Sequence, residues 1–260
     1  MNELKELENV CVEAVKVGGA VSKKYFRKSF AISFKGDRND AGTVVTQADL
    51  ESEKAIVALI KSKYPDHAIV AEEAGGEEGD GYSWFIDPVD GTQNFSRGFV
   101  EYGVSVGVVR NGEPVAGAVY IPELGELYRA SKGNGAFLND ERIHASKNSI
   151  KDSIALVSAF LSFDRLKKNL DVVEKLAPHI AGLRVFGCAS YGCALIARGG
   201  ADVSIKYDLM PENFCGGVPL IREAGGFAVN ANGEPWTTKD KTFIAAANKK
   251  LLDDVLELIK

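Results

Sequence analysis

The sequence predicts an α+β fold with an antiparallel-rich first half and an α/β second half. Three observations support this prediction. Apolar residues recur at steps of three and four from Leu4 to Tyr25, as in an amphipathic helix. Short apolar runs then crowd residues 82–143, where Asn111-Gly112 is a strong β-hairpin signal. Beyond about residue 145, apolar runs alternate with helical periodicity, which indicates α/β layers.

The elements of the first half follow from local signals. The first helix ends near the basic run at residues 23–28, and a short strand is expected at Ala31–Lys35. Thr46-x-x-Asp49 is a capping signal for a helix that Pro65 stops near Tyr64. Further strands are predicted at Ala68–Glu72, Tyr82–Asp87, Val104–Arg110 and Val115–Tyr120, with shorter ones to Ile143.

The second half is predicted to alternate strands and helices, and we place a boundary between residues 1–146 and 147–260. The predicted strands are Ile154–Ser158, Leu183–Phe186, Val203–Ile205, Gly226–Val229 and Phe243–Ala247. The predicted helices lie near Leu166–Leu176, Tyr191–Arg198, Phe214–Ala224 and Leu251–Ile259.

Composition excludes several classes of protein. Of the 260 residues, 45% are hydrophobic and 26% charged, which is typical of a globular chain. The sequence contains no run of eighteen apolar residues and no secretory signal pattern, so we expect a cytoplasmic protein without membrane association. A net charge of −5 without a basic stripe argues against nucleic acid as a partner. Four cysteines without CxxC spacing and three scattered histidines argue against zinc and disulfides.

The segment from Trp84 to Phe95 carries the most information about function. Asp87 and Asp90 flank a proline at the expected end of an apolar strand, so their carboxylates and the Val89 carbonyl can converge on one point. Such oxygen ligands suit Mg²⁺, or Mn²⁺ as an alternative, rather than zinc or copper. Asp-Pro-x-Asp-Gly is also ordinary turn chemistry, so a plain turn stays open on this motif alone.

Other acidic residues also lie at the ends of predicted elements. Glu72 and Glu73 close the apolar strand that begins at Ala68, and Asp49 lies at a helix start. Paired glutamates are usually solvated, and the Thr46–Asp49 pair is explained equally well by helix capping alone. The gathering of several acids at element ends favours a cation site over unrelated turns.

The segment Ile86–Phe95 resembles the signature of the inositol monophosphatase family throughout: an apolar residue, Asp, Pro, an aliphatic residue, Asp, Gly, Thr, any residue, Asn, Phe. The resemblance covers nearly the whole chain, from the Thr46–Asp49 element through the Glu72-Glu73 pair to the Glu-Ala-Gly-Gly run at residues 223–226. It implies the layered αβαβα sandwich of sugar phosphatases, a magnesium-dependent phosphomonoesterase and a homodimer.

The resemblance also implies roles for particular residues. The metal ligands would be Glu72, Asp87, the Val89 carbonyl, Asp90 and Asn213, holding two or three Mg²⁺ ions, and Li⁺ and Ca²⁺ would inhibit. Glu72, Thr92 and Asp49 would orient and deprotonate the attacking water. The substrate would contact Asp90, Gly91, Thr92, Gln93, Arg184, Ala189 and Lys206. Lys35 and Glu73 are further candidates. For Arg184 and Lys206 a surface salt bridge is an alternative, and for Lys35 an exposed strand end.

One position departs from the family pattern. The family's second signature is Trp-Asp-x-Ala-Ala-Gly at a fixed distance before Glu-Ala-Gly-Gly, and its aspartate ligates the second metal. That distance leads to Asn213, preceded by Glu212 instead of tryptophan. Asparagine offers one neutral carbonyl oxygen in place of a carboxylate. Natural divergence, an introduced inactivating substitution, and rescue by Glu212 or Asp208 are the open explanations. We expect Asn213→Asp to raise activity and Mg²⁺ affinity.

The sequence leaves three interpretations of function. The leading one is hydrolysis of inositol 1-phosphate, fructose 1,6-bisphosphate or both, with histidinol phosphate or a nucleotide as alternative substrates. The second is a catalytically impaired or regulatory member of the fold, which Asn213 alone supports. The third, in which the acidic residues form ordinary turns, is disfavoured by the full match over Ile86–Phe95.

Overall fold

A computed structural model describes residues 3–29, 31–34, 44–157, 163–207 and 210–260, with the side chains of 163–166 left aside. The helices are α1 Glu3–Tyr25, α2 Gln47–Lys63, α3 Thr92–Arg97, α4 Phe163–Leu176, α5 Ala189–Ala197, α6 Glu212–Cys215, α7 Val218–Glu223 and α8 Lys249–Ile259. The strands are β1 Ile32–Phe34, β2 Val44–Thr46, β3 Ala68–Ala71, β4 Tyr82–Asp90, β5 Gly103–Arg110, β6 Glu113–Ile121, β7 Glu126–Ser131, β8 Ala136–Leu138, β9 Glu141–Arg142, β10 Ile154–Leu156, β11 Gly182–Arg184, β12 Val203–Tyr207, β13 Phe227–Val229 and β14 Thr242–Ala246. The candidates Lys35 and Asp208 lie outside the described residues.

The first sheet has seven strands in the order β3-β4-β5-β6-β7-β8-β9. β3 runs parallel to β4, and all other neighbours are antiparallel. Asn111 and Gly112 join β5 to β6 with φ of 54° and 78°, which are the two left-handed positions of a type I′ turn. The predicted hairpin and the antiparallel-rich first half are therefore confirmed.

Helices α1 and α2 cover one face of this sheet. The buried positions of α1 follow the three-and-four spacing of the sequence and form a core with Ile56 of α2 and Trp84 of β4. Two glycines let α1 approach closely: a Cβ on Gly18 would lie 2.7 Å from Ile56 Cδ1, and one on Gly19 would lie 2.5 Å from Tyr120 Cδ1. This layer fixes α2 beside the end of β4.

The second sheet has five strands in the order β11-β10-β12-β14-β13, with β10 parallel to both of its neighbours. Helices α5, α6 and α7 lie between the two sheets, and their core joins Phe85 and Val119 of the first sheet to Phe243 of the second. Helices α4 and α8 cover the outer face through Leu176 and Leu251. The resulting order of layers is αβαβα, as expected from the sequence.

The helix predicted at Phe214–Ala224 is wrong, because the segment forms α6 and α7 with a break between them. Gly216 and Gly217 sit at the break, and Pro219 begins the new helix. The glycines are needed for contact: a Cβ on Gly216 would lie 2.4 Å from Ser105 Oγ of β5. The short helix α6 is thereby pressed onto β4 and β5.

The division at residues 146/147 falls between β9, the last strand of the first sheet, and β10, the first strand of the second. This position is consistent with two subdomains, and the division stays a proposal. Among the helices in the described ranges, none combines the length and apolarity that crossing a lipid bilayer requires.

Candidate active site

The end of β4 carries two carboxylates on one side of the strand. The sequence suggested that the strand stops at Asp87, but it continues to Asp90 through a β-bulge. Asp87 pairs with Ser105 and Asp90 with Gly103, so two residues of β4 face one residue of β5. Residues three apart in a regular strand point to opposite faces. The extra residue of the bulge brings both carboxylates to the same face, where Asp87 is 1% and Asp90 7% exposed.

A hydrogen-bonded chain links the start of α2 to the start of α3. Asp49 Oδ2 accepts from the backbone N–H of Thr46 at 2.9 Å and from its hydroxyl at 2.5 Å. Thr92 Oγ1 lies 3.1 Å from Asp49 Oδ1 and 3.0 Å from the Val89 carbonyl oxygen. The capping box and the contact with Thr92 therefore coexist in one geometry. Burial raises the pKa of Asp49 to about 6.

Three acidic side chains gather around Asp87. The parallel register pairs Ala71 with Ile86, and the Glu72 N–H donates to the Ile86 carbonyl at 3.1 Å, so Glu72 reaches Asp87. Burial raises the pKa of Asp87 well above its usual range, and the carboxylates of Glu72, Asp90 and Glu212 add to this effect. Glu212 of α6 is 4% exposed. Sequence reasoning named it only as a rescue candidate.

These residues fit a divalent cation. Asp87 Oδ1 is buried and accepts no hydrogen bond, which is costly unless a cation takes that place. The surrounding donors are carboxylate oxygens, which suit Mg²⁺. Within the described ranges, no three His, Cys, Asp or Glu side chains already form a complete ligand set. Mutual repulsion among carboxylates opposes a closer approach until a cation neutralises them.

The second sheet and its helices supply the other side of the site. Asp90 Oδ2 accepts from the Ser190 N–H at 2.5 Å and lies 3.1 Å from Cys188 Sγ, at the start of α5. Asn94 Nδ2 lies 2.6 Å from the Phe186 carbonyl oxygen and 2.7 Å from that of Glu101, which ties α3 to the segment before α5. Ala189 is consequently a half-buried neighbour of the Asp90 contact.

Lys206 also belongs to this side of the site. Burial lowers the pKa of its ammonium group to about 8, and the negative charge of Asp90 opposes that shift. The half-buried side chain thus lies in the electrostatic range of Asp90, and its role as a substrate contact stays a prediction. Lys206 is carried by β12, the central strand of the second sheet.

The remaining candidates are more exposed. Arg184 is exposed and its Nη1 donates to the Leu183 carbonyl at 2.8 Å, while Gln93 is exposed on α3. Gly91 is the N-cap of α3 with a φ of +87°, and a Cβ there would lie 3.1 Å from the Glu101 carbonyl oxygen. Asn213 is half-buried beside Glu212 on α6. Its expected role as a ligand stays a prediction.

Two residues of α2 that sequence reasoning missed also touch the site. Ser52 Oγ donates to the Pro88 carbonyl at 3.2 Å. Glu53 accepts from the N–H of Glu73 at 2.8 Å and from that of Ala74 at 2.9 Å. Both follow Asp49 by three or four positions, so they share its helix face. Their spacing from Asp49 was the feature of the sequence that could have identified Ser52 and Glu53 as residues of the site.

Known proteins match this chain over its whole length. The model of the inositol monophosphatase family matches residues 3–260. A protein of Aquifex aeolicus named fructose-1,6-bisphosphatase/inositol-1-monophosphatase is 35% identical, with 100% of this chain and 97% of the relative covered. A putative Nus factor SuhB of Neisseria meningitidis is 34% identical, with 86% of this chain and 87% of the relative covered.

Solved structures agree with these sequence matches. The crystal structure of the extragenic suppressor protein SuhB from Bartonella henselae superposes with a TM-score of 0.90 at 27% identity, covering 98% of each chain. The layers, the carboxylates on the bulged strand and the matches in sequence and structure lead to the same assignment. This chain belongs to the inositol monophosphatase family and is a phosphoric monoester hydrolase.

Proposed function

We propose that this chain hydrolyses inositol 1-phosphate, fructose 1,6-bisphosphate or both, with Mg²⁺ as cofactor. The observation that carries the proposal is the buried Asp87, whose Oδ1 accepts no hydrogen bond while Glu72, Asp90 and Glu212 surround it with negative charge. The family is magnesium-dependent in general. The name of the Aquifex aeolicus relative combines both activities, which supports the choice of substrates.

Mg²⁺ bound to Glu72, Asp87, the Val89 carbonyl and Asp90, with a weaker contribution from Asn213, would polarise the phosphate ester and lower the pKa of a water molecule. Thr92 and Asp49 then form a proton path, because the Thr92 hydroxyl can pass its proton to Asp49 Oδ1 at 3.1 Å. A pKa near 6 makes Asp49 a stronger base than an ordinary surface aspartate while leaving it mostly ionised at neutral pH.

Positive groups would receive the substrate from the other side. The backbone N–H groups of Gly91 and Thr92 begin α3, where they are free of intrahelical partners and suited to phosphate oxygens. Lys206, Ala189 and Arg184 would contact the sugar or polyol, with Lys206 supplying charge beside Asp90. Gln93 and Glu73 stay secondary candidates in this proposal.

A phosphate-release assay tests the proposal. Purified protein is incubated with inositol 1-phosphate, fructose 1,6-bisphosphate, histidinol phosphate and 3′-phosphoadenosine nucleotides, each with Mg²⁺ and with EDTA. We expect Mg²⁺-dependent release from the first two substrates and slower release from the others. Preference for histidinol phosphate or a nucleotide would replace the substrate assignment, and equal release in EDTA would contradict the metal assignment.

The second candidate is a regulatory protein with impaired catalysis. It is favoured by the neutral Asn213 beside the carboxylates and by a Neisseria meningitidis relative that is named a putative Nus factor. The test is turnover of the same substrates at saturating Mg²⁺ in the wild type and in Asn213→Asp. Zero turnover in both proteins would support the regulatory role. Turnover in the wild type would exclude it as the sole function.

Three further expectations belong to this proposal. We propose a homodimer in the cytoplasm, which light scattering coupled to size exclusion and cell fractionation would test. We also propose that Mn²⁺ can replace Mg²⁺, whereas Li⁺ and Ca²⁺ inhibit. Titration of each ion into the phosphate-release assay would test both statements, since Ca²⁺ tolerates more ligands and looser geometry than Mg²⁺.

A further inference from the structure

The turn that carries Glu72 is bonded to α2 through the side chain of Glu53. β3 is the edge strand of its sheet and has only four residues, so β4 alone supports it within the sheet. Ala71 and Gly75 close the turn by exchanging backbone hydrogen bonds of 3.0 and 2.8 Å. Of the residues between them, Glu72 interacts with Asp87.

Every N–H group in this turn has an identified acceptor. The Glu72 N–H donates to the Ile86 carbonyl, and the Gly75 N–H donates to the Ala71 carbonyl. The two remaining N–H groups, those of Glu73 and Ala74, donate to Glu53 Oε2 at 2.8 Å and Oε1 at 2.9 Å. Glu53 therefore uses both carboxylate oxygens on the backbone that directly follows Glu72.

Glu53 is 5% exposed and lies one helical turn from Asp49. Each of its oxygens accepts one N–H group of the turn, so the side chain is directed at the backbone beside Glu72. Buried carboxylates are costly unless they are hydrogen-bonded, and this one is bonded to the flank of the metal-ligand turn. The arrangement matches outer groups that orient the ligands of a metal site.

We propose that Glu53 is a positioning residue that sets the Mg²⁺ affinity of this chain by holding the Glu72 turn against β4. The proposal rests on the proposed function, because it takes Glu72 as a metal ligand. Glutamine at position 53 keeps one acceptor oxygen but turns an NH₂ group toward a backbone N–H. One N–H of the turn then loses its acceptor, and Glu72 loses its fixed direction.

The test compares Glu53→Gln with Glu51→Gln by titrating Mg²⁺ into metal-free protein in a calorimeter. Glu51 lies on the same helix, is exposed, and bonds only to side chains outside the turn, so it is a matched control. We expect Glu53→Gln to raise the Kd for Mg²⁺ about 10- to 100-fold and Glu51→Gln to leave it unchanged. Glu53→Asp keeps two carboxylate oxygens on a shorter side chain. Its Kd for Mg²⁺ should lie between those of the wild type and Glu53→Gln.

Activity at saturating Mg²⁺ separates a positioning role of Glu53 from a general structural role. At Mg²⁺ concentrations that saturate each variant, kcat of Glu53→Gln should return to within about threefold of wild type, since the reacting groups are intact. An unchanged Mg²⁺ Kd in Glu53→Gln and Glu53→Asp would overturn this proposal alone. Absence of Mg²⁺ binding and of turnover in the wild type would overturn the proposed function together with it. If Glu53→Gln fails to fold, the Kd of Glu53→Asp decides.

Discussion

The two sides of the site differ in how their residues are held. On the first side, α2 contacts the motif segments at three points: Asp49 at Thr92, Ser52 at Pro88, and Glu53 at the turn after β3. On the second side, α6 rests on β5 by backbone contact at Gly216, and its Asn213 departs from the family signature. We therefore expect the first side to fix the geometry of the proposed reaction. We expect charge and substrate contacts to vary on the second side.

The largest expected effect comes from the buried carboxylate of the first side. Asp87→Asn should lower Mg²⁺-dependent phosphate release at least about 1,000-fold, because it neutralises a proposed ligand of the catalytic cation. The same change should raise the melting temperature in EDTA by about 2 °C or more, since it removes a buried charge that its neighbours repel. Phosphate release and thermal unfolding in EDTA measure the two effects.

Asp90→Ala is the contrasting variant for that prediction. It leaves the Ser190 N–H without its acceptor, so it should lower both activity and stability. If Asp87→Asn is also less stable than wild type in EDTA, charge repulsion is not the main property of the cluster.

The proton path predicts the next largest effect. Thr92→Ala should lower kcat about 100-fold, within the range for loss of proton transfer, because the hydroxyl between Asp49 and the substrate side is removed. Asp49→Asn should impair the same step. The double variant should therefore lower kcat little more than the more severe of the two single variants does. Steady-state kinetics of the four proteins measure the coupling. Additive losses would mean that the two residues act separately.

Restoring the family's carboxylate on the second side should have a smaller and opposite effect. Asn213→Asp should raise Mg²⁺ affinity and activity about tenfold, by adding a charged ligand beside Glu212. Calorimetric Mg²⁺ titration and phosphate release at limiting Mg²⁺ are the measurements. Asn232→Asp, at an exposed position in the turn after β13, serves as a control for the added charge. No gain in Asn213→Asp would remove residue 213 from the ligand set.

The last expected effect is on stability rather than activity, and it is the pH dependence of stability. The pKa of Asp49 rises from 3.8 to about 6 on folding, so between these values the folded protein binds more protons than the unfolded chain. The free energy of unfolding should therefore fall as pH rises from about 4 to about 6.5, by about 2 to 3 kcal/mol relative to Asp49→Asn, and then level off. Urea unfolding of both proteins in EDTA measures the difference. If the free energy of unfolding of the wild type rises relative to that of Asp49→Asn as pH increases, the direction assigned to the pKa shift is contradicted.

Local patterns predicted the first side of the site well. Asp87, Asp90 and Thr92 stand within one uninterrupted motif, and Thr46 with Asp49 forms a capping box that sequence spacing alone reveals. The family resemblance implied the order of layers, whereas helical and strand periodicity, which depends on neighbouring residues only, predicted most of the elements within them.

Features that depend on distant partners were not predictable. The strand β4 passes Asp87 because β5 pairs with it through a bulge, and the break between α6 and α7 is accompanied by close contact with β5. The role of Glu53 requires an N–H group some twenty positions away to be in reach. Such contacts exist only in the folded chain, and the secondary-structure propensities of individual residues do not predict them.

The bulge on β4 has a consequence for how this chain can change. Asp87 and Asp90 are three positions apart and share a face because the bulge takes up one residue relative to β5. Inserting a residue between them while the bulge stays would turn one carboxylate to the opposite face. Deleting Pro88 or Val89 would leave the carboxylates two positions apart on one face, but it would remove the bulge and one of the two carbonyls that accept from Ser52 and Thr92. Chain length at this point is therefore under tighter constraint than side-chain identity.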